Sequence, residues 1–175
     1  MNRKDAGFTL IEALITLSIA ALFITLALPA LDDLLQRQRT ASALHQLSAD
    51  FALARTRAIV GRRQVVVCPR AADDRCRDGG DWSQGWLVFV DGDGNRQPDA
   101  AKDVLRITSL PNGNGQLQLS STRPFLRYQS DARSAHSNLT VHVCATGQLR
   151  GQVVVNNHGR ARSSRQGGQV PCPRG

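Results

Sequence analysis

The feature that most constrains the fold is an unbroken apolar segment near the N-terminus. Residues 8–31 read FTLIEALITLSIAALFITLALPAL, and Glu12 is the only charged residue among them. As a helix rising about 1.5 Å per residue, the segment would reach roughly 36 Å, enough to cross the hydrocarbon core of a bilayer. Arg3 and Lys4 precede the segment, which favours a cytoplasmic N-terminus. We therefore predict a single transmembrane helix over residues 8–31, followed by an exported domain.

Glu12 is the exception within this segment. A carboxylate inside a membrane costs a few kcal/mol and marks a functional site by default. A positive group at the same depth would compensate it, and cleavage after Gly7 would create one, the α-amino group of Phe8. A neighbouring subunit could present that amine to Glu12.

The string GFTLIE at residues 7–12 resembles the processing site of type IV pilins and type II secretion pseudopilins. The resemblance implies that residues 1–7 are a leader, and that prepilin peptidase cuts after Gly7 and N-methylates Phe8. It also implies that Glu12 guides docking into a filament of major and minor pilins or pseudopilins. A secretory signal peptide is the alternative, but its apolar stretch has only about 7–15 residues and ends at a small-x-small cleavage site.

We expect the helix to continue beyond the apolar segment, over residues 32–60. Apolar residues recur there at spacings of three and four, with polar residues such as Asp50 between them, which indicates a helix with one buried face. Gly61 is expected to end the helix. The apolar positions of this face are Leu31, Leu34, Leu35, Ala41, Leu44, Leu47, Phe51, Ala54 and Ala58.

Beyond Gly61 the sequence changes to short runs rich in Val, Leu and Ile, separated by Gly, Asn, Asp and Pro, which is typical of strands and turns. These runs predict a mainly antiparallel β domain over residues 61–175, packed on the amphipathic half of the helix. The predicted fold class is therefore α+β, and this arrangement resembles that of type IV pilins. The predicted strands cover residues 64–68, 86–90, 104–108, 116–120, 139–144 and 152–156.

The four cysteines suit an exported domain, where disulfides persist. Cys68, Cys76, Cys144 and Cys172 allow three pairings. The local pair Cys68–Cys76 and the distal pair Cys144–Cys172 are the most economical, and the second would tie the C-terminal tail to the domain. Zinc is the rival interpretation, but no C-x-x-C spacing is present.

Three features of the domain together resemble the GspH/FimT family of minor pseudopilins. They are Cys68-Pro69, the run GWLVFVD at residues 85–91 with its glycine-rich turn, and the segment from Cys144 to Gly159-Arg160. In that family, GspH-type members belong to a secretion pseudopilus, whereas FimT-type members belong to type IV pili and some bind DNA during natural transformation. The resemblance implies an inner-membrane protein with a periplasmic domain that later enters a pilus or pseudopilus.

The formal net charge of +8 is unevenly distributed along the chain. No Asp or Glu follows Asp131, and such a one-sign segment suits a polyanionic partner. The arginines beyond that point are Arg133, Arg150, Arg160, Arg162, Arg165 and Arg174.

The string GRAR at residues 159–162 resembles the DNA-binding element of FimT-type pilins. The resemblance implies that Arg160 and Arg162 bind DNA, with Gly159 as part of the motif and Arg165 added by proximity. In an extended segment Arg160 and Arg162 would point the same way, about 7 Å apart, and arginine forks hold phosphate oxygens well. Since no aromatic residue follows Tyr128, base stacking is poorly supplied, and we expect binding that ignores sequence. The alternative is a solvated arginine tail.

The string DGDGN at residues 91–95 resembles the start of a calcium loop. An EF-hand loop needs Gly at its sixth position and Glu at its twelfth, where this chain has Arg96 and Lys102. We therefore interpret the string as a turn and expect no metal site and no cofactor. The chain also contains no catalytic signature, so we do not expect an enzyme.

Overall fold

The computed structural model describes residues 9–110, 117–134 and 136–173. The predicted leader, Gly7, Phe8 and Arg174 lie outside the described residues. The chain divides into two compact units, Met1–Gln38 and Arg39–Gly175.

Helix α1 (Leu10–Gly61) begins with a side-chain cap. The Glu12 N–H donates to Thr9 Oγ1 at 3.3 Å, and the Ala13 N–H donates to the Thr9 carbonyl oxygen at 3.1 Å. Thr9 and Glu12 have the S/T-x-x-E spacing of a capping box, and a carboxylate in the first turn complements the helix dipole. Glu12 therefore also stabilises the start of the helix.

The first unit exposes large apolar side chains along α1, including Leu10, Leu17 and Phe23. Within residues 9–110, 117–134 and 136–173, no helix is long and apolar enough to cross a membrane. The transmembrane segment expected from the sequence stays a prediction.

In the second unit, one face of α1 is buried from Thr40 to Ala58. Leu31, Leu34 and Leu35, which were predicted on this face, belong to the first unit and are exposed. The placement of Asp50 among the polar positions was wrong, because its side chain is buried. The buried residues of α1 are Thr40, Ala43, Leu44, Leu47, Asp50, Phe51, Ala54 and Ala58.

In the described part of the chain, eight strands form two four-stranded antiparallel sheets. The first contains β1 (Val65–Pro69), β2 (Gly85–Val90), β3 (Val104–Ser109) and β5 (Leu126–Tyr128), in the order β3-β2-β1-β5. A short 3₁₀ helix, Ala101–Asp103, precedes β3. The second sheet contains β4 (Gln118–Ser120), β6 (Leu139–Ala145), β7 (Gln148–Val155) and β8 (Ala161–Arg165), in the order β4-β6-β7-β8. The α+β prediction is confirmed, and only β5 and β8 were not predicted.

The core of the second unit lies between α1 and the inner faces of both sheets. Leu47 and Phe51 of α1 belong to the same apolar cluster as Trp86 of β2 and Val153 of β7. A smaller cluster covers the other face of the first sheet and contains Val66, Cys68, Leu87 and Phe89. Each sheet therefore has one face packed on the helix.

A buried carboxylate joins α1 to the first sheet. Asp50 accepts hydrogen bonds from Trp86 Nε1 at 2.8 Å and from Thr108 Oγ1 at 2.6 Å. Arg106 adds an ion pair at 3.1 Å, although its side chain is about half exposed. Asp50 thus connects the helix to β2 and β3, and Trp86 is fully buried with it.

The structure contains the two disulfides that the spacing favoured. Cys68 is bonded to Cys76 near the end of β1, and Cys144 of β6 is bonded to Cys172 in the tail. The tail also lies alongside the start of β7. The Leu149 N–H donates to the Val170 carbonyl oxygen, and the Cys172 N–H donates to the Gly147 carbonyl oxygen. The C-terminal segment is therefore fastened by both a covalent bond and backbone hydrogen bonds.

Candidate functional site

The arginine motif lies at the turn that joins β7 to β8. Asn156 closes this turn: its carbonyl oxygen accepts from the Gly159 N–H at 2.8 Å, and its side-chain oxygen accepts from the Arg160 N–H at 3.0 Å. The Asn156 N–H donates in turn to the Arg160 carbonyl oxygen at 3.2 Å. An Asx side chain that bonds its local backbone holds a turn in one conformation. The backbone of Arg160 is therefore fixed, and its side chain is exposed.

Gly159 is required at this turn for two reasons. Its φ of +72° lies in the left-handed region, which side chains with a Cβ rarely adopt. A Cβ would also lie 2.1 Å from the Ala132 carbonyl oxygen and 3.0 Å from Cε1 of Tyr128. Tyr128 is buried beneath the turn, and this burial raises the pKa of its phenol, so the ring stays neutral. Gly159 thus lets the turn lie directly on Tyr128 and Ala132.

A neighbouring loop, residues 129–134, fastens the turn to the rest of the unit. Ser134 Oγ donates to the Asn156 carbonyl oxygen at 2.6 Å, and the Ser134 N–H donates to that of Asn157 at 3.1 Å. Arg55 of α1 donates from Nε to the Ala132 carbonyl oxygen at 3.4 Å. The turn is therefore connected through this loop to the helix. These contacts could not be predicted from the sequence, except that Asn is common in turns.

The structure brings two of the three predicted arginines together. Arg160 directly precedes β8, and Arg162 lies in β8 opposite Val154 of β7. Both side chains are exposed. Ala161 packs against the core, so Arg162 points away from α1 by the alternation of a strand.

Arg165 lies on the opposite face of β8 from Arg162, because it shares the face of Ala161 and Ser163. It lines a cleft of about 290 Å³ between β8 and α1, together with His45 and Ser163. The structure therefore groups Gly159, Arg160 and Arg162 at the turn and separates Arg165 from them.

No ion pair neutralises the two arginines of the turn among the residues that the structure describes. The sequence contains no Asp or Glu beyond Asp131. Among the residues that the structure describes, the ion pairs engage Arg37, Arg70, Arg77, Arg106 and Arg127, and none engages Arg160 or Arg162. Two exposed guanidinium groups on a turn of fixed backbone have the chemistry needed to hold an anion such as phosphate.

The glycine-rich loop after β2 is held by an internal cation. Asp91 is buried and accepts from Arg127 Nη2 at 2.9 Å and from the Arg96 N–H at 3.3 Å. Arg127 also donates to the Gly94 carbonyl oxygen at 3.1 Å, so it bridges both sides of the loop. In the described part of the chain, no group of three or more His, Cys, Asp or Glu could hold a metal ion. The Arg127 guanidinium supplies the positive charge that a calcium ion would bring.

Calcium is accordingly expected to leave the thermal stability of the protein unchanged. Melting curves in excess calcium and in excess chelator should agree within about 1 °C, because Asp91 is already paired. A site saturated at one hundred times its Kd would instead add about 2.7 kcal/mol and raise the melting temperature by several degrees. Such a rise, lost in an Asp93→Ala variant, would show that the loop does bind calcium.

Of the predicted processing and docking residues, only Glu12 is described. Its side chain is exposed in the first turn of α1. Gly7 and Phe8 lie outside the described residues.

A long N-terminal helix packed on antiparallel sheets defines the class of pilin-like proteins. The family described as "Type II transport protein GspH" matches residues 43–159, more than half of the 175 residues, and the chain belongs to this family. The prokaryotic N-terminal methylation motif matches residues 2–28. Comparison with curated proteins gave no match. Arg160, Arg162 and Arg165 lie beyond the end of the family match.

Two crystal structures of the type IV minor pilin FimU from Pseudomonas aeruginosa strain PAO1 share this fold. The first has a TM-score of 0.57 and 16% identity, and the match covers 73% of this chain and 90% of that one. The second, in another space group, has a TM-score of 0.53 and 16% identity, and the match covers 71% of this chain and 91% of that one. The type IV pilin-like fold expected from the sequence is confirmed.

Proposed function

We propose that the protein is a minor pilin of a type IV pilus that binds DNA through Arg160 and Arg162, without sequence preference, for uptake in natural transformation. The observation that carries this proposal is the β7–β8 turn, where two exposed arginines are held on a fixed backbone in a segment without acids. Phosphate contacts of this kind supply essentially all of non-specific DNA binding. Gly159 serves the site by keeping the turn closed, and Arg165 is a weaker candidate because it faces the other side of β8.

The N-terminal part of the proposal concerns maturation and anchoring. Prepilin peptidase would cut between Gly7 and Phe8 and methylate Phe8, and the match to the N-terminal methylation motif supports this. Residues 8–31 would hold the protein in the inner membrane in a single pass, with residues 61–175 in the periplasm. Glu12 would then dock against the amine of a neighbouring pilin subunit during assembly.

The Arg160→Ala, Arg162→Ala double variant tests the DNA-binding part. Gel shifts with the full-length protein in detergent should show an affinity that falls with salt at a slope near −2.7 in log K against log salt, for about three phosphate contacts. Removing two of those contacts should weaken binding strongly at low salt and reduce the magnitude of the slope by about 1.8.

The matched control is the Arg57→Ala, Arg63→Ala double variant. These arginines are also exposed, so the net charge falls by the same amount while the turn is unchanged. We expect its affinity to stay close to that of the wild type. Equal losses in the two double variants would mean that overall charge, and not the turn, governs binding.

The alternative is a GspH-type minor pseudopilin, a structural component at the tip of a type II secretion machine. The description of the matching family favours it. Its partners would be other minor pseudopilins, and the arginines would have no ligand. A deletion strain separates the two functions: loss of transformation with intact protein secretion supports the pilus, and the reverse supports the secretion system.

A further inference from the structure

The strand register of the second sheet aligns four polar side chains in one row. Ser120 of β4 pairs with His142 of β6, which pairs with Gln152 of β7, which pairs with Ser164 of β8. Directly paired residues lie on the same face of a sheet, and strands are about 4.8 Å apart, so the row crosses the sheet over about 14 Å. We call these four residues the polar row.

The polar row faces away from α1. The residues that alternate with it, such as Val141, Val143 and Val153, belong to the core cluster that includes α1. Arg162 lies on the same outer face as the row, next to Ser164 in β8. The row therefore meets β8 at Ser164, two residues or about 7 Å along the strand from Arg162, and runs from there across the outer face of the sheet.

Three polar atoms on this face are buried and have no hydrogen-bond partner among the described residues. They are Ser120 Oγ, His142 Nδ1 and Arg150 Nε. Arg150 belongs to this face because the adjacent Gly151 faces Leu44 of α1. Burial lowers the pKa of His142, so its imidazole is neutral near pH 7. These atoms are too enclosed to contact a ligand on the face directly, so the side chains that offer contacts are the exposed Ser164 and the half-buried Gln152.

We propose that a DNA strand crosses the outer face of the second sheet, from Arg160 and Arg162 along the polar row. This inference rests on the proposed function and names the path that the DNA takes. Ser164 carries a hydroxyl group and Gln152 an amide. Side chains of these two types contact phosphate and sugar oxygens in protein–DNA complexes. The row contains no Phe, Tyr or Trp on which a base could stack, so the contacts are to the backbone of the strand.

Two adjacent serines of β8 allow a matched test of the path. Ser163 and Ser164 are both exposed and both border the cleft that contains Arg165, but the alternation of the strand directs their side chains to opposite faces. Ser163→Glu and Ser164→Glu change the net charge equally, at nearly the same distance from Arg162. Gel shifts with the full-length protein should show that Ser164→Glu weakens DNA binding about fivefold or more, the effect of one close like-charge contact. Ser163→Glu should change it less than about twofold.

The gel-shift results distinguish failure of the DNA path from failure of the proposed function. A loss confined to Ser164→Glu, together with tighter binding by Gln152→Lys in the middle of the row, supports the path. Equal losses at both serines, or a larger loss at Ser163, would overturn it and place the strand on the side of Arg165. If the double arginine variant loses binding while the two serine variants are equal, the path fails and the proposed function stands. A wild-type protein that does not bind DNA overturns both.

Discussion

Asp50→Ala is expected to lower the free energy of unfolding by about 3 kcal/mol, which corresponds to a fall of about 10 °C in melting temperature. The variant leaves the fully buried Trp86 Nε1–H and the Thr108 hydroxyl without their acceptor. A buried donor that loses its partner costs about 1–3 kcal/mol. The ion pair with Arg106 contributes less, because the arginine is half exposed and solvent screens it.

Thermal melts followed by circular dichroism measure this effect, with Gln46→Ala as the control. Gln46 is exposed on the same helix, so its replacement should shift the melting temperature by less than about 2 °C. Asp50→Asn keeps one side-chain oxygen, so its melting temperature should lie between those of Asp50→Ala and Gln46→Ala. An Asp50→Ala protein that melts with the wild type would mean that Asp50 does not connect α1 to the sheet.

Gly159→Ala is expected to combine the second large loss of stability with a loss of DNA affinity. The new Cβ would strain the backbone at φ +72° and collide with the Ala132 carbonyl oxygen. We expect a cost of at least about 2 kcal/mol, because the left-handed conformation alone costs about 1–2 kcal/mol. The turn must move to relieve the collision, and Arg160 moves with it, so DNA binding should weaken as well.

Substitutions at Gly147 and Gly167 separate the effect of backbone strain from that of the steric collision. Gly147 also has a positive φ, +74°, but a Cβ there would meet nothing within 4 Å, so Gly147→Ala measures backbone strain alone. Gly167 has neither constraint, so Gly167→Ala should be nearly neutral. Melting temperatures should fall in the order Gly167→Ala, Gly147→Ala, Gly159→Ala. If Gly147→Ala and Gly159→Ala had equal melting temperatures, the contact of residue 159 with Ala132 and Tyr128 would not contribute to stability.

The sequence predicted much of the fold because its apolar patterns are local. Six strands and the end of α1 at Gly61 could be recognised from alternation, periodicity and turn residues. Two strands were not recognised: β5, which reads LRY, and β8, which reads ARSSR. β8 is an edge strand with one neighbour, so backbone pairing with β7 forms it without an apolar pattern.

The candidate site was predicted only as a string of residues. The motif identified Arg160 and Arg162, but the contacts that position them come from residues distant in sequence, such as Ala132 and Arg55. The separation of Arg165 depends on the register of β8, which cannot be read from spacing alone. Asp50 was misassigned because periodicity shows which face a residue occupies only approximately, and Asp50 lies three residues after Leu47 on the buried side.

The bond between Cys144 and Cys172 also has a mechanical consequence. It closes a covalent ring that contains β7, the arginine turn and β8. Cys144 lies in β6, which has a neighbouring strand on each side. Tension on a ligand held by Arg160 and Arg162 would pull β8 from the edge of the sheet, but only until the ring is taut. Beyond that point the load passes through Cys172 to an interior strand, so the ring limits how far the hairpin can be peeled.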